Sequence, residues 1–227
     1  MRMQWHELMS PASPYWEPAL ALYERAFPVA VREPADVFVR SWSAETGFHF
    51  WVGVWDGQVA AMATAHFLED VQVGFVVYLL VNSLMQSRGI GAQTLAYVES
   101  ALEEDARKAG RALRGVVLET EREEEAHTSA ERADCQRRLR FFARHGYECP
   151  AGVTYVQPPL TPERESAVPL HLLMKRFPGH WAGTEREIRD VIRSMYRNKY
   201  GKANGIAHEV LSVCEAQVEV RPQREEG

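Results

Sequence analysis

Residues 78–92 read Tyr78-Leu79-Leu80-Val81-Asn82-Ser83-Leu84-Met85-Gln86-Ser87-Arg88-Gly89-Ile90-Gly91-Ala92. An uncharged run enters a turn, and a helix is expected to begin among glycines. The first amides of a helix have no acceptor within it. Together they carry roughly half a positive charge from the helix dipole. Such a start is a seat for a diphosphate. Gly89 and Gly91 let the backbone come close to phosphate oxygens, since no Cβ intervenes. Arg88 adds a charged donor. A glycine pair before a helix also occurs in turns that bind nothing, so the flanks matter. Residues 76–81 carry no charge, as a central strand buried on both faces requires. Residues 91–108 then show an apolar stripe of Leu95, Val98 and Leu102, and Gly110 stops the helix. The chain has no G-x-G-x-x-G fingerprint and no Gly-Lys-Ser/Thr loop, so the two commonest nucleotide motifs do not account for this segment.

Working outward, residues 3–8 are expected to form a strand and residues 15–26 a helix, with Trp16, Leu20 and Tyr23 on one face. Residues 37–42 suggest a second helix. Two strand-like runs, 48–54 and 59–67, flank Asp56-Gly57, a hairpin signal. Residues 113–120 suggest another strand. Residues 131–145 suggest a helix opened by a Thr128/Glu131 capping box, and residues 153–157 and 169–177 the last strands. Alternating strands and helices of this kind form a layered α/β domain. Residues 178–227 differ in character: a Thr184/Glu187 capping box opens a helix with Ile188, Val191, Ile192 and Met195 on one stripe, and residues 204–213 suggest a second short helix. The expected division is therefore a domain at 1–177 and a C-terminal helical extension at 178–227. The apolar stripe of the extension would pack on that domain or support a homodimer.

The 227 residues are 46% hydrophobic and 25% charged, enough to build one sizeable core and an appendage rather than a disordered chain. A net charge of −5 gives no global attraction to nucleic acid or an anionic membrane. Cys135, Cys149 and Cys214 form no CxxC pair, so reduced thiols are expected and no metal site is indicated. His49 and His66 fall in the hairpin without a ligand partner at metal spacing. The first residues lack a signal-peptide core and no apolar run is long enough to span a bilayer, so a cytoplasmic location is expected.

The spacing Gln86-x-x-Gly89-x-Gly91 is similar to the Q/R-x-x-G-x-G/A signature of the GCN5-related N-acetyltransferases (GNAT), and the order of elements over 1–177 resembles that family's fold. The resemblance implies a mixed central sheet of about six or seven strands flanked by helices, the acyl-CoA N-acyltransferase fold. It also implies acetyl-CoA as cosubstrate, with the segment Gln86, Ser87, Arg88, Gly89, Ile90, Gly91 and Ala92 at its diphosphate. In the family the strand before this loop splays from its neighbour and the pantetheine arm fills the gap. By position, Leu79 and Val81 would bond that arm, and the Val81 amide would polarise the thioester carbonyl. The segment Phe141-Phe142-Ala143-Arg144-His145-Gly146-Tyr147 resembles the family's later helix, but Phe142 stands where a proton-donating tyrosine is common. Tyr155 and His145 are the conceivable substitutes.

An amine acceptor, whether a small molecule or a peptide, has to shed a proton before it attacks. A carboxylate near the thioester would accept it. Glu119 and Glu121 alternate onto one face at the end of the 115–120 strand. Glu119 is the expected base and Glu121 the expected attractor of a cation. Arg32, Glu33 and Asp36 lie in a loop where this family often shapes its acceptor pocket. The competing reading, favoured by Phe142, is a non-catalytic acetyl-CoA-binding regulatory module.

Overall fold

The computed structural model describes residues 3–27, 32–85, 88–163 and 166–221. The strands are β1 (Gln4–Glu7), β2 (Phe48–Trp55), β3 (Gln58–Leu68), β4 (Val73–Val81), β5 (Gly115–Glu121), β6 (Val153–Gln157), β7 (Val168–Arg176) and β8 (Glu219–Val220). They form one sheet in the order β1-β2-β3-β4-β5-β7-β6-β8. Its first four strands are antiparallel neighbours, as are its last four, and the two groups meet where β4 runs parallel to β5. The helices are α1 (Trp16–Ala26), α2 (Ala35–Ser43), α3 (Ile90–Lys108), α4 (Ser129–Arg144), α5 (Glu185–Met195) and α6 (His208–Ala216). This is the mixed α/β sheet flanked by helices that the sequence indicates, with eight strands rather than six or seven.

Strand alternation decides which helix packs where. Ala63, Ala65 and Phe67 of β3 face the cluster with Leu95, Val98 and Leu102 of α3. Met62 turns the other way, toward Trp16 and Leu22 of α1 and Phe38 of α2. Each fully buried aliphatic side chain of the α3 stripe stabilises the fold by roughly 1.5–3 kcal/mol. Capping boxes open α4 at Thr128/Glu131 and α5 at Thr184/Glu187, both as the sequence indicates.

The chain beyond residue 177 packs on the same sheet. Ile188, Val191, Ile192 and Met195 share a buried cluster with Phe75, Val117, Tyr155 and Leu172, so the stripe of α5 is covered by this chain's own strands. Trp181 closes over Gly115, where a Cβ would stand 2.6 Å from the indole ring and 2.4 Å from the Lys175 carbonyl. Two features depart from the expectation. After Met195 the helix widens into a π-helix, Tyr196–Ala203, and α6 begins at His208 rather than at 204. β8, which the sequence did not indicate, pairs with β6. Cys135, Cys149 and Cys214 are free thiols. No helix among the described residues is long and apolar enough to cross a membrane.

Candidate active site

β4 and β5 pair from Val73↔Gly115 to Val76↔Leu118 and then part. The cause is local. Val77 bulges out of the β3–β4 ladder, between Ala65↔Val76 and Thr64↔Tyr78. A bulge of this kind bends its strand and strengthens its twist. From there β4 follows β3 to Val81, while β5 follows β7 to Glu121. A cavity of about 580 Å³ opens between them, lined by β4 from Val76 to Val81 on one side and by Leu118, Glu119, Thr120 and Glu121 on the other. The Asn82 amide donates to the Ala60 carbonyl at 2.8 Å. Strand alternation then turns the N–H and C=O of Leu80 toward β3, and those of Leu79 and Val81 toward the gap. The two positions to which the family resemblance gives backbone bonding thus present main-chain groups that are unpaired among the described residues.

At the end of this wall Gly89 caps α3 with φ +72°, in the left-handed region that suits glycine. Gly89 has no side chain with which to cap this helix start, and no acid lies in its first turn, so among the described residues its leading amides keep their partial positive charge. Arg88 is exposed beside it. The Ile90 side chain is buried against Met3, Ala60 and Ala61, so only its main chain faces a ligand here. A Cβ on Gly91 would meet the Phe141 ring at 3.5 Å, and Ala92 is half-buried. Gln86 and Ser87 lie outside the described residues.

On the opposite wall Glu119 is half-buried and takes three hydrogen-bond donors on its two oxygens. It accepts hydrogen bonds from Tyr155 Oη, from Gln157 Nε2 at 2.7 Å, and from Tyr200 Oη at 2.8 and 2.7 Å to its two oxygens. Burial pushes its carboxyl above the usual carboxylate range, while Tyr155, Tyr200, Gln157 and the more distant Lys199 cation pull it back. Tyr200 stands in the π-helix and also lines the cavity. The sequence reading missed it. Its signal was the apolar stripe of α5, which continues from Ile192 through Tyr196 to Tyr200 at spacings of four.

Glu121 differs from Glu119. It is exposed and paired with Arg138 at 2.7 Å, so its charge is matched before any substrate cation arrives. Glu33, read from sequence as part of a pocket loop, is buried. It takes Lys199 Nζ at 2.6 Å and Asn204 Nδ2 at 2.7 Å on one oxygen. Asp36 pairs with Arg40 inside α2, and Arg32 reaches the Glu24 carbonyl at 3.2 Å. Phe142 lines the cavity, packed edge-on to Phe141 and Tyr147, and presents no hydroxyl there. His145 points back to the Phe141 carbonyl at 2.8 Å and does not line the cavity. Tyr155 is sealed beneath Glu119 rather than exposed in the cleft. Away from the cleft, His49 bridges Glu7 at 2.6 Å and Asp105 at 2.8 Å, two acids that the sequence did not place beside it. Burial opposes the charge on His49, but the hydrogen bonds to Asp105 and Glu7 outweigh it and push its pKa up to about 9.

The model of the acetyltransferase (GNAT) family matches residues 16–147 of the chain. A GNAT-family structure from Bacteroides thetaiotaomicron superposes with a TM-score of 0.64 at 17% identity, covering 87% of this chain and 98% of that one. The ribosomal-protein-S18-alanine N-acetyltransferase of Escherichia coli superposes with a TM-score of 0.50 at 13% identity, covering 80% of this chain and 98% of its own. Arabidopsis thaliana Naa50, in complex with the bisubstrate analogue CoA-Ac-MVNAL, has a TM-score of 0.50 at 13% identity, with 77% and 99% covered. At these identities the likeness is one of fold. No curated protein matches the sequence.

Proposed function

This chain belongs to the acetyltransferase (GNAT) family and is an acetyltransferase, and from that premise we propose that it moves the acetyl group of acetyl-CoA to a primary amine by direct attack, with Glu119 as the base. The observation that carries this reading is the pairing, across one cleft, of unbonded main-chain donors on β4 with a half-buried carboxylate on β5. The fit to acetyl-CoA is physical. An extended pantetheine arm needs main-chain partners, and Leu79 and Val81 offer them along the open edge of β4. The diphosphate needs amides at an uncapped helix start, and the segment from Arg88 to Ala92 offers them.

The residues of the chain then act in order. The Val81 amide points at the place where charge develops on the thioester oxygen, and a preorganised donor of this kind is worth about 3–4 kcal/mol. Glu119 accepts the proton that a primary amine, with a pKa of about 10.4, carries at neutral pH. The amine nitrogen attacks the carbonyl carbon and gives its second proton to solvent as the amide forms, the C–S bond breaks, and the thiolate departs. With a thiol pKa near 8.5 in solution, roughly that of cysteine, it leaves without an acid. That is consistent with the absence of a hydroxyl at Phe142. Leu22, Phe27, Leu160 and Leu170 wall the acceptor end, with exposed Arg25 at its rim. This suits an amine carried on an apolar small molecule or peptide. The protein needs no metal for these steps.

The test is thiol release from acetyl-CoA with a panel of small amines and peptides, and mass spectrometry of the products made with labelled acetyl-CoA. Replacing Glu119 by Gln should slow turnover by about 10²–10⁴-fold and leave acetyl-CoA affinity by calorimetry unchanged. Titration of acetyl-CoA into folded protein without heat would reject the reading.

A further inference from the structure

We infer that Tyr200, carried by the C-terminal extension, is a positioning residue that sets the orientation and proton affinity of Glu119, so that the extension is part of the active site. The inference rests on the reading of Glu119 as the base. A carboxylate at a cleft wall has a free terminal torsion, and a base that rotates spends little time aimed at its proton. Gln157 and Tyr155 hold Glu119 from β6. Tyr200 closes the remaining side, with its hydroxyl shared between both carboxylate oxygens at 2.8 and 2.7 Å.

The placement of Tyr200 is itself fixed on both flanks. Lys199, with a side chain 2% exposed, bonds Glu33 at 2.6 Å. Asn204 bonds Glu33 and the Leu160 carbonyl, each at 2.7 Å. The ring of Tyr196 stands edge-on to that of Tyr200, and its hydroxyl donates to the Val156 carbonyl. Packing alone would be satisfied by any large apolar side chain at position 200. The phenol oxygen has a separate use: its hydroxyl donates to Glu119, and the Gln157 amide beside it is itself a partner of Glu119. Tyr200 is buried and its hydroxyl is directed at Glu119, so its action is through the base.

The groups that face Glu119 are Tyr155 and Gln157 from β6, and Tyr196, Lys199 and Tyr200 from the π-helix. Burial raises the proton affinity of Glu119 and the hydrogen-bond donors lower it. Loss of one donor therefore raises it further.

The experiment is a pH titration of the full chain followed by infrared difference spectroscopy. The protonated-carboxyl band of Glu119 is identified by its loss in Glu119→Gln. In Tyr200→Phe the midpoint of that band should move up by about one pH unit, since a hydrogen bond to a charged group is worth that much or more. Difluorotyrosine at position 200, a stronger donor of the same shape, should move it down, which keeps the question open to test if the Phe variant does not fold. An unmoved midpoint in either folded variant overturns the inference. The base reading fails separately: it is lost if Glu119→Gln keeps full thiol release with an acceptor that the wild type uses.

Discussion

Along β4 the cleft offers the main-chain groups of Leu79 and Val81 and the amides at the start of α3, whereas along β5 it offers one side chain, Glu119, held by donors from β6 and from the π-helix. The first wall depends on a bulge, a glycine with positive φ and an uncapped helix. Many side chains would leave it intact. The second depends on the identity of Glu119, Tyr155, Gln157 and Tyr200, and on the segment that delivers Tyr200. A wall made of backbone is robust to substitution and serves a ligand that presents the same groups each time. A wall made of side chains is fragile and is where a particular chemistry is set.

That contrast can be broken most severely at its remote anchor. Lys199→Met leaves the buried Glu33 carboxylate, one of whose oxygens has no partner among the described residues, without its cation. The expected loss is about 3–5 kcal/mol of stability in denaturant or thermal melts. If the two walls are independent, acetyl-CoA should still bind whatever remains folded. Val81→Pro attacks the other wall. It removes an N–H that faces the gap rather than β3, so the ladder to Ala61 should survive while thiol release falls by about 10²-fold. A melting loss without a rate loss would show that this amide does nothing for the reaction.

A third test concerns the support under the backbone wall. His49 ties β2 to α3 through Asp105 and to β1 through Glu7. Its pKa is raised in the folded state from 6.5 to about 9. The stabilisation is therefore complete below pH 6.5 and is lost as pH rises through about 9. Roughly 1–3 kcal/mol should disappear over that window, and melts of His49→Gln should show a flatter pH dependence there. The smallest effect is expected at Glu121. Its exposed pair with Arg138 is worth at most about 1 kcal/mol, so Glu121→Gln should change turnover by no more than a few-fold. A loss as large as that of Glu119→Gln would mean that this carboxylate, and not its neighbour, handles the proton.

What could be read from sequence follows the same contrast. The Asp56-Gly57 hairpin, the capping boxes at Thr128 and Thr184, and the strand-turn-helix segment through Gly89 are local, written within a few residues, and the structure contains each of them. Glu119 was legible as an acid at a strand end, because alternation fixes its face. Its partners were not legible. Tyr200 lies 81 residues further along the chain, and nothing in the periodicity of 188–200 separates a π-helix from an α-helix that continues. Glu33 and Lys199 are 166 residues apart, so the pocket loop that holds Glu33 gave no sign of its buried partner in the extension. The acids beside His49 were hidden for the same reason, with Glu7 42 residues away.

The seam between β4 and β5 has a further consequence. Among the described residues, only the short register from Val73↔Gly115 to Val76↔Leu118 joins two antiparallel half-sheets by strand pairing. A guest lying along the open edge of β4 would lengthen that seam, as a zip drawn further up holds two panels more firmly. Thermal resistance should then climb with the logarithm of guest concentration, so a simple melting screen could rank coenzymes of different acyl chain before any acceptor is known.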